Sequence, residues 1–432
     1  MKRRTFFLSS ATALAASQLL PNSALASAFA SGAGQPPALE KVSGAVAADD
    51  TRFWNMVRAQ FPLTTDRIYL NTGGLGASPY AVIDAVKAKM DELEKVSETG
   101  HSEGLWKQIK TDAAALFHCD ADEIAFTRNT TEGVNIIANG IALKKGDEVI
   151  LTTQEHVGNA ITWVEMQKKD GIVIRRFEPS TASAQENLDR LKKLITSRTR
   201  IIAIPHIVTT TGLIMPVKEI ADLARSKNIF FLIDGAQSGG MIPIDLHAVG
   251  CDAYATSGHK WLMGPKETGL LYVRKAMLDT VRAKFIGAYS DNGFDFDKGE
   301  LTLHPSAQRY EYGTISVPLR VGLGAAFKFI DAIGMNNIWE HDRAMSSALF
   351  EGLKKEGSIT VLSPADPSMR SAMITISHKT LSYTKLQEEL NKFKLRTRVV
   401  TEGGLAALRL SLHCYNSFDD VETILKAVHA AG

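Results

Sequence analysis

Cysteine is scarce: Cys119, Cys251 and Cys414 are the only three in 432 residues, far apart and odd in number. That excludes a disulfide framework and a cysteine metal cluster. An excess of either charge is also missing, with 49 Lys and Arg against 47 Asp and Glu. No basic stripe points to nucleic acid, and no acidic block points to a solvating tail. The apolar run near the start, FFLSSATALAASQLL, is too short and too rich in Ala and Ser to span a bilayer stably.

That run follows Lys2, Arg3 and Arg4 and precedes two small-residue cleavage patterns, Ala24-Leu25-Ala26 and Ala28-Phe29-Ala30. The whole reads as an export signal rather than structure. Arg3-Arg4 followed by Thr5-Phe6-Phe7-Leu8 resembles a twin-arginine signal, the route that carries folded proteins through the twin-arginine translocase. The expected mature protein is periplasmic, and loss of three cations with the signal takes its formal charge from +2 to −1.

Residues 31–50 form a small-residue and polar linker. Beyond it, short apolar runs (EIAFT, DEVILTT, IVIRRFE, RIIAIPH, NIFFLID, AYATSG, TGLLYVR) alternate with segments of helical period. Helices are expected from about Glu132, Gly158, Asn187, Val217 and Pro318. This alternation predicts an α/β fold with a mostly parallel sheet and helices on both faces. A large domain over 51–335 and a smaller C-terminal α+β domain over 336–432 are expected, with no internal repeat. Ligands of such sheets sit outside the carboxyl ends of the strands.

The chemistry-bearing residues fall at those ends. Lys260 lies in SGHKWLMGP (257–265), beside Ser257 and His259, two donors suited to phosphate. Asp234 closes the apolar run NIFFLID; its carboxylate can serve a protonated ring nitrogen or cap the next segment. Gln237 and the small Ala236 follow. RNTTEGVN (128–135) sets Thr130 and Thr131 at a helix N-terminus, an anion site in principle. His156 follows a strand, where an imidazole can stack on a flat ring. A lysine, a buried carboxylate, a stacking ring and phosphate donors are what pyridoxal 5′-phosphate (PLP) asks of a protein, together with a cation for the substrate carboxylate.

Spacing and order resemble the class V (fold type I) aminotransferase family, which includes cysteine desulfurases and isopenicillin N epimerase. The likeness runs over roughly residues 65–420 and rests on D-x-A-Q followed by S-x-H-K: Asp234, Ala236, Gln237, Ser257, His259 and Lys260. It implies a fold type I PLP-dependent transferase in which Lys260 holds the cofactor covalently and later takes the α-proton. Asp234 then serves the pyridine nitrogen, Gln237 the ring hydroxyl and His156 the ring face. Thr130, Thr131, Ser257 and His259 hold the phosphate.

RYEYGT (309–314) is similar to the family motif that sends a threonine, here Thr314, across a homodimer interface to the partner's phosphate. ALRLSLHCYN (407–416) is similar to the segment with the substrate-carboxylate arginine, here Arg409; the other reading of an Arg in such a strand is an internal salt bridge. YLNTGGLGASP (69–79) resembles the epimerase-like branch, and its glycines, Gly74 among them, would admit substrate.

Two departures separate the chain from desulfurases. HIVTTTG (206–212) places Thr209 where they have Asn. No cysteine occurs between Cys251 and Cys414, and Cys414 follows Arg409, so the nucleophilic cysteine they need before the arginine is missing. The expected activity is transamination at the α-carbon of an amino acid or peptide-like metabolite. Epimerisation comes second and β-elimination third; a non-catalytic relic of the fold is the reading from another class. Export together with these motifs resembles the branch that modifies a glutamate on a siderophore (pyoverdine) precursor.

Replacing Arg3 and Arg4 by Lys should strand unprocessed, cofactor-loaded precursor in the cytoplasm. Fractionation of a strain lacking the twin-arginine translocase checks this, and mature periplasmic protein in that strain would refute the route.

Overall fold

The computed structural model describes residues 36–432; the export signal and the start of the linker lie outside the described residues. Leu39–Gly432 form one compact unit. In chain order the strands are β1 (Ile68–Tyr69), β2 (Ile124–Thr127), β3 (Glu148–Thr152), β4 (Val173–Phe177), β5 (Thr199–Pro205), β6 (Phe230–Asp234), β7 (Ala253–Ser257) and β8 (Gly269–Val273). They continue with β9 (Asp291–Asp295), β10 (Glu300–Leu303), β11 (Ile359–Val361), β12 (Met373–His378), β13 (Leu395–Arg396), β14 (Arg398–Val400) and β15 (Ala407–Ser411).

Seven strands make the central sheet in the order β2-β8-β7-β6-β5-β3-β4. Every pairing is parallel except the two made by β8. The apolar runs read from the sequence are these strands, and β2, β3, β6, β7 and β8 are buried along their whole length. Continuous burial is what helices on both faces impose on a parallel sheet. One cluster, with Ile202, Ile204, Phe231 and Ile233, packs on one face. A second, with Val149, Leu151, Ile201 and Leu232, packs on the other. The architecture is thus α/β with a mostly parallel sheet, as the alternation of apolar runs implied, and it agrees with the fold expected from the resemblance.

A four-stranded antiparallel sheet, β11-β12-β15-β14, carries the C-terminal third. N-terminal chain reaches it through Asn71, which bridges to Ser411 of β15, while β1 pairs in parallel with β13 as a separate two-stranded sheet. The chain around Asn71 is therefore tied to the strand that bears Arg409. The turn Asn71–Gly76 is suspended between the two sheets.

Helix starts differ from the sequence reading by at most three residues. The helix expected from Glu132 is Thr130–Gly140, because the Asn129 side chain, not a threonine, accepts the Glu132 N–H at 2.9 Å. The hairpin β9–β10, with Phe294 and Phe296 exposed, had no apolar run to announce it. Among the described residues no helix is long and apolar enough to cross a membrane.

Asn129→Ala should lower unfolding free energy by about 1 kcal/mol through loss of this cap. Urea denaturation of the purified protein measures it.

Candidate active site

The site forms where β2, β3, β5, β6 and β7 end. Asp234 is the last residue of β6, and Ser257 the last of β7. His156 precedes the helix Val157–Asp170, and Thr130 opens Thr130–Gly140. His156, Thr209, Asp234, Ala236, Gln237 and Lys260, with Pro205 and Ile207, line one small pocket.

Lys260 is buried opposite Asp234. Burial lowers its pKa to about 8; Asp234 opposes the shift, and Arg409 and Arg398 add to it. The Asp234 carboxyl is held above its ordinary value by burial, against the pull of the Ala236 N–H and Lys260. One oxygen accepts that N–H at 2.9 Å. That bond closes a local turn, since no helix follows Asp234 directly, and the other oxygen would be left for a ring N–H.

His156 also has two duties. Its Nδ1 accepts the Gly158 N–H at 3.1 Å and caps the helix, which places the ring proton on Nε2. Burial, with Lys260 nearby, lowers its pKa, so the ring is neutral and offers an uncharged face to the pocket. Beneath it Glu155, not singled out by the sequence, accepts the Thr152 N–H and hydroxyl at 2.9 and 2.7 Å and the Asn159 amide at 2.7 Å. Those bonds fix the turn that presents His156. Burial pushes the Glu155 carboxyl up to about 7.

At the phosphate end Thr130 and Ser257 meet, with hydroxyls 2.7 Å apart and the Thr130 N–H donating to Ser257 Oγ at 3.1 Å. His259 is half-buried, and its Nδ1 has no partner. Thr131 is exposed, its hydroxyl against Gly158, so two helix N-termini converge there. Thr314 stands exposed on the loop before Val317–Ile333 and does not line the pocket of its own chain.

Arg409 sits on β15 with no exposed surface. Nη1 donates to the Thr209 carbonyl and hydroxyl at 2.9 and 2.7 Å, while Nε and Nη2 have no partner. No acid among the described residues pairs with it, so the internal salt bridge is not formed. Thr209 also accepts from the Gln237 amide at 3.3 Å, and that amide donates to the Gly73 carbonyl at 2.8 Å.

Gly73 is the glycine that faces the site: a Cβ there would lie 2.7 Å from Arg409 Nη2 and 2.9 Å from Gln237 Oε1. The named Gly74 instead packs on the Asn71 side chain. Gly76 abuts the lysine itself, since a Cβ would fall 1.9 Å from the Lys260 carbonyl oxygen. No spacing rule in the sequence separates these three glycines.

The donor set fits PLP. A carboxylate, a neutral ring face and a buried lysine line one cavity; a hydroxyl pair between a strand end and a helix N-terminus and a guanidinium with two unpartnered nitrogens are further donors. Asp234 would hold the pyridine N–H, Gln237 the ring hydroxyl, Thr130, Ser257 and His259 the phosphate, and Lys260 the covalent link.

Comparison with known proteins agrees. Residues 68–424 match the family described as aminotransferase class-V. A cysteine desulfurase of Yersinia pseudotuberculosis is 30% identical over 326 residues, 72% of this chain and 80% of its own. A probable cysteine desulfurase of Pyrococcus abyssi is 28% identical over 392 residues, 85% and 95% of the two chains. Among solved structures, a lysine-to-alanine mutant of C-DES with glycine covalently linked to its PLP cofactor superposes with a TM-score of 0.80 at 25% identity, covering 87% of this chain and 99% of that one. The cystine C–S lyase C-DES with its reaction product cysteine persulfide gives 0.78 at 26% identity, covering 86% and 99%.

Lys260→Ala should abolish covalent PLP while leaving the fold intact. Borohydride reduction and peptide mapping of the wild type test the assignment, and an adduct on any other lysine would remove it. The pH dependence follows from the lowered pKa. The neutral amine, the form that attacks a carbonyl, gains population as pH rises through about 8. PLP capture by the apoenzyme should therefore accelerate with pH and level off just above that value, not near the ordinary lysine range.

Proposed function

The chain belongs to the class V aminotransferase family of PLP-dependent enzymes, and we propose that it acts at the α-carbon of an amino acid or amino-acid-bearing metabolite, with transamination as the outcome. The observation that carries this reading is Arg409. A fully buried guanidinium with two unpaired nitrogens beside the lysine pocket is costly unless an anion completes it. Its planar fork suits a carboxylate bidentately.

When bound, PLP supplies a sink for the electron pair left as the α-proton departs. The protein's part is to place that proton. Arg409 and Thr209 anchor the carboxylate end, and Asp234 keeps a proton on the ring nitrogen. Lys260, whose amine is substantially neutral near pH 8, takes the α-proton on its own face. His156 covers the other face, which leaves epimerisation without a second proton donor.

A second reading, cleavage of a C–S bond, is favoured by the desulfurase and C–S lyase relatives. In this chain it would proceed without a protein persulfide. Cys119 is pushed up to about 12 chiefly by burial. Cys251 and Cys414 are fully buried and also held protonated.

The finer assignments are inferences. Arg3-Arg4 supports a periplasmic enzyme, and LNTGGLGASP with Thr209 supports the isopenicillin N epimerase-like branch. Together they support a siderophore precursor's glutamate as substrate. Exposed Thr314, with exposed Phe285, Phe294 and Phe296 nearby in sequence, supports a homodimer whose partner completes the phosphate site.

Arg409→Ala should raise KM sharply and lower kcat/KM by roughly 2–4 kcal/mol while the cofactor absorbance stays put. In deuterated buffer with a panel of amino acids and siderophore precursors, transamination predicts pyridoxamine 5′-phosphate with one substrate enantiomer recovered. Both enantiomers recovered deuterated, with no amine form, would favour the epimerase; pyruvate or persulfide release would favour the lyase.

A further inference from the structure

Behind Lys260 lies a buried acid–base pair that none of the roles above uses. His413, four residues beyond Arg409 on the chain that continues β15, has no exposed surface, and neither does Asp342 on the helix Met335–Leu353. His413 Nδ1 lies 2.8 Å from Asp342 Oδ2, and Nε2 lies 3.0 Å from the main-chain carbonyl of Trp261. A carbonyl oxygen can only accept, so Nε2 carries a proton. The Nδ1 contact then holds one more, shared with the carboxyl group, whichever of the two is its formal owner. The pair is a neutral unit sealed from water with a fixed donor aimed at Trp261.

Trp261 is the residue after Lys260. Its indole N–H donates to Gln237 Oε1 at 2.9 Å, and its ring meets the His413 ring edge-on with centroids 5.1 Å apart. Gln237 in turn binds Gly73 and Thr209, and Thr209 binds Arg409. One extended run thus carries both the Arg409 guanidinium and the histidine that grips the carbonyl of the residue following the lysine.

We propose that Asp342 and His413 are positioning residues for Lys260: by holding the Trp261 carbonyl they lock the lysine loop in register with Arg409, and so set where the amine stands relative to a carboxylate-anchored substrate. The proposal rests on Lys260 being the PLP lysine. Buried polar pairs left half-satisfied are costly, and the alternative of an apolar contact at this spot would leave the Trp261 carbonyl unpaired. A packing role alone needs neither the second proton nor a carbonyl partner adjacent to the lysine.

The test uses full-length holoenzyme and reads visible circular dichroism of the PLP band, which reports the ring's asymmetric setting beside its lysine, together with the melting temperature. His413→Phe fills the space but removes both donors. It should still carry PLP on Lys260 by borohydride mapping, yet lose at least half of the visible ellipticity at temperatures where it is fully folded. Asp342→Asn can turn its amide N–H to Nδ1 and leave Nε2–H on the carbonyl, so it should retain the band; Asp342→Leu should not. Should His413→Phe fail to fold, His413→Asn, too short to reach the carbonyl, is read by the same criterion. A folded His413 variant with wild-type ellipticity, destabilised or not, overturns the proposal. A wild-type protein that binds no PLP at Lys260 would instead remove the reading beneath it, and the proposal with it.

Discussion

Three ionisable groups almost wholly withdrawn from water, Lys260, Asp234 and Arg409, set the terms for everything around them. Lysine and aspartate compensate one another across the pocket, but the arginine has only a threonine carbonyl and hydroxyl. The assembly is therefore one positive charge in excess at low dielectric, a state that an anion relieves. The strand ends, the glycine turn and the two helix N-termini all present further donors to the same small volume. On the proposed reading a phosphate would take one end of this site and a carboxylate the other.

Much of this was legible in the residue order, for a physical reason. Strands buried on both faces must be continuous apolar runs, and polar residues that end such runs must lie at the sheet's edge. NIFFLID followed by Gly-Ala-Gln therefore announced both β6 and Asp234. The same logic is silent where a role depends on distant chain. Gly73 matters because residues 237 and 409 come to it, and Trp261 because His413 does. Asn129 was passed over for the threonines beside it, since only the backbone dihedrals decide which of several cap-forming residues precedes the helix. The hairpin β9–β10 carries no alternation at all; its phenylalanines are exposed in the single chain.

The likeness to cysteine desulfurases shows how fold and chemistry part company. The residues that would hold the cofactor are gathered in one place, whereas a reactive thiol is not among them: each cysteine is held protonated by burial and nearby acids that disfavour the thiolate. Thiolate character is what makes sulfur a nucleophile. On the reading proposed above, a chain without such a sulfur acts at the α-carbon and at whatever bond the departing electrons can break there.

The contact between Gly76 and the Lys260 carbonyl bears on the order in which the protein comes into being. The pocket is stitched from residues near 73, 130, 156, 234, 260 and 409, so it closes over sequence separations of hundreds of residues. During synthesis the lysine emerges long before the strand that carries Arg409, and a nascent chain stalled between them has half a binding site and an open sheet edge. Such long-range closure is slow and leaves partly built states exposed to aggregation. Cofactor capture is then a late event that reports completed folding. PLP would then act as a seal that separates finished molecules from unfinished ones.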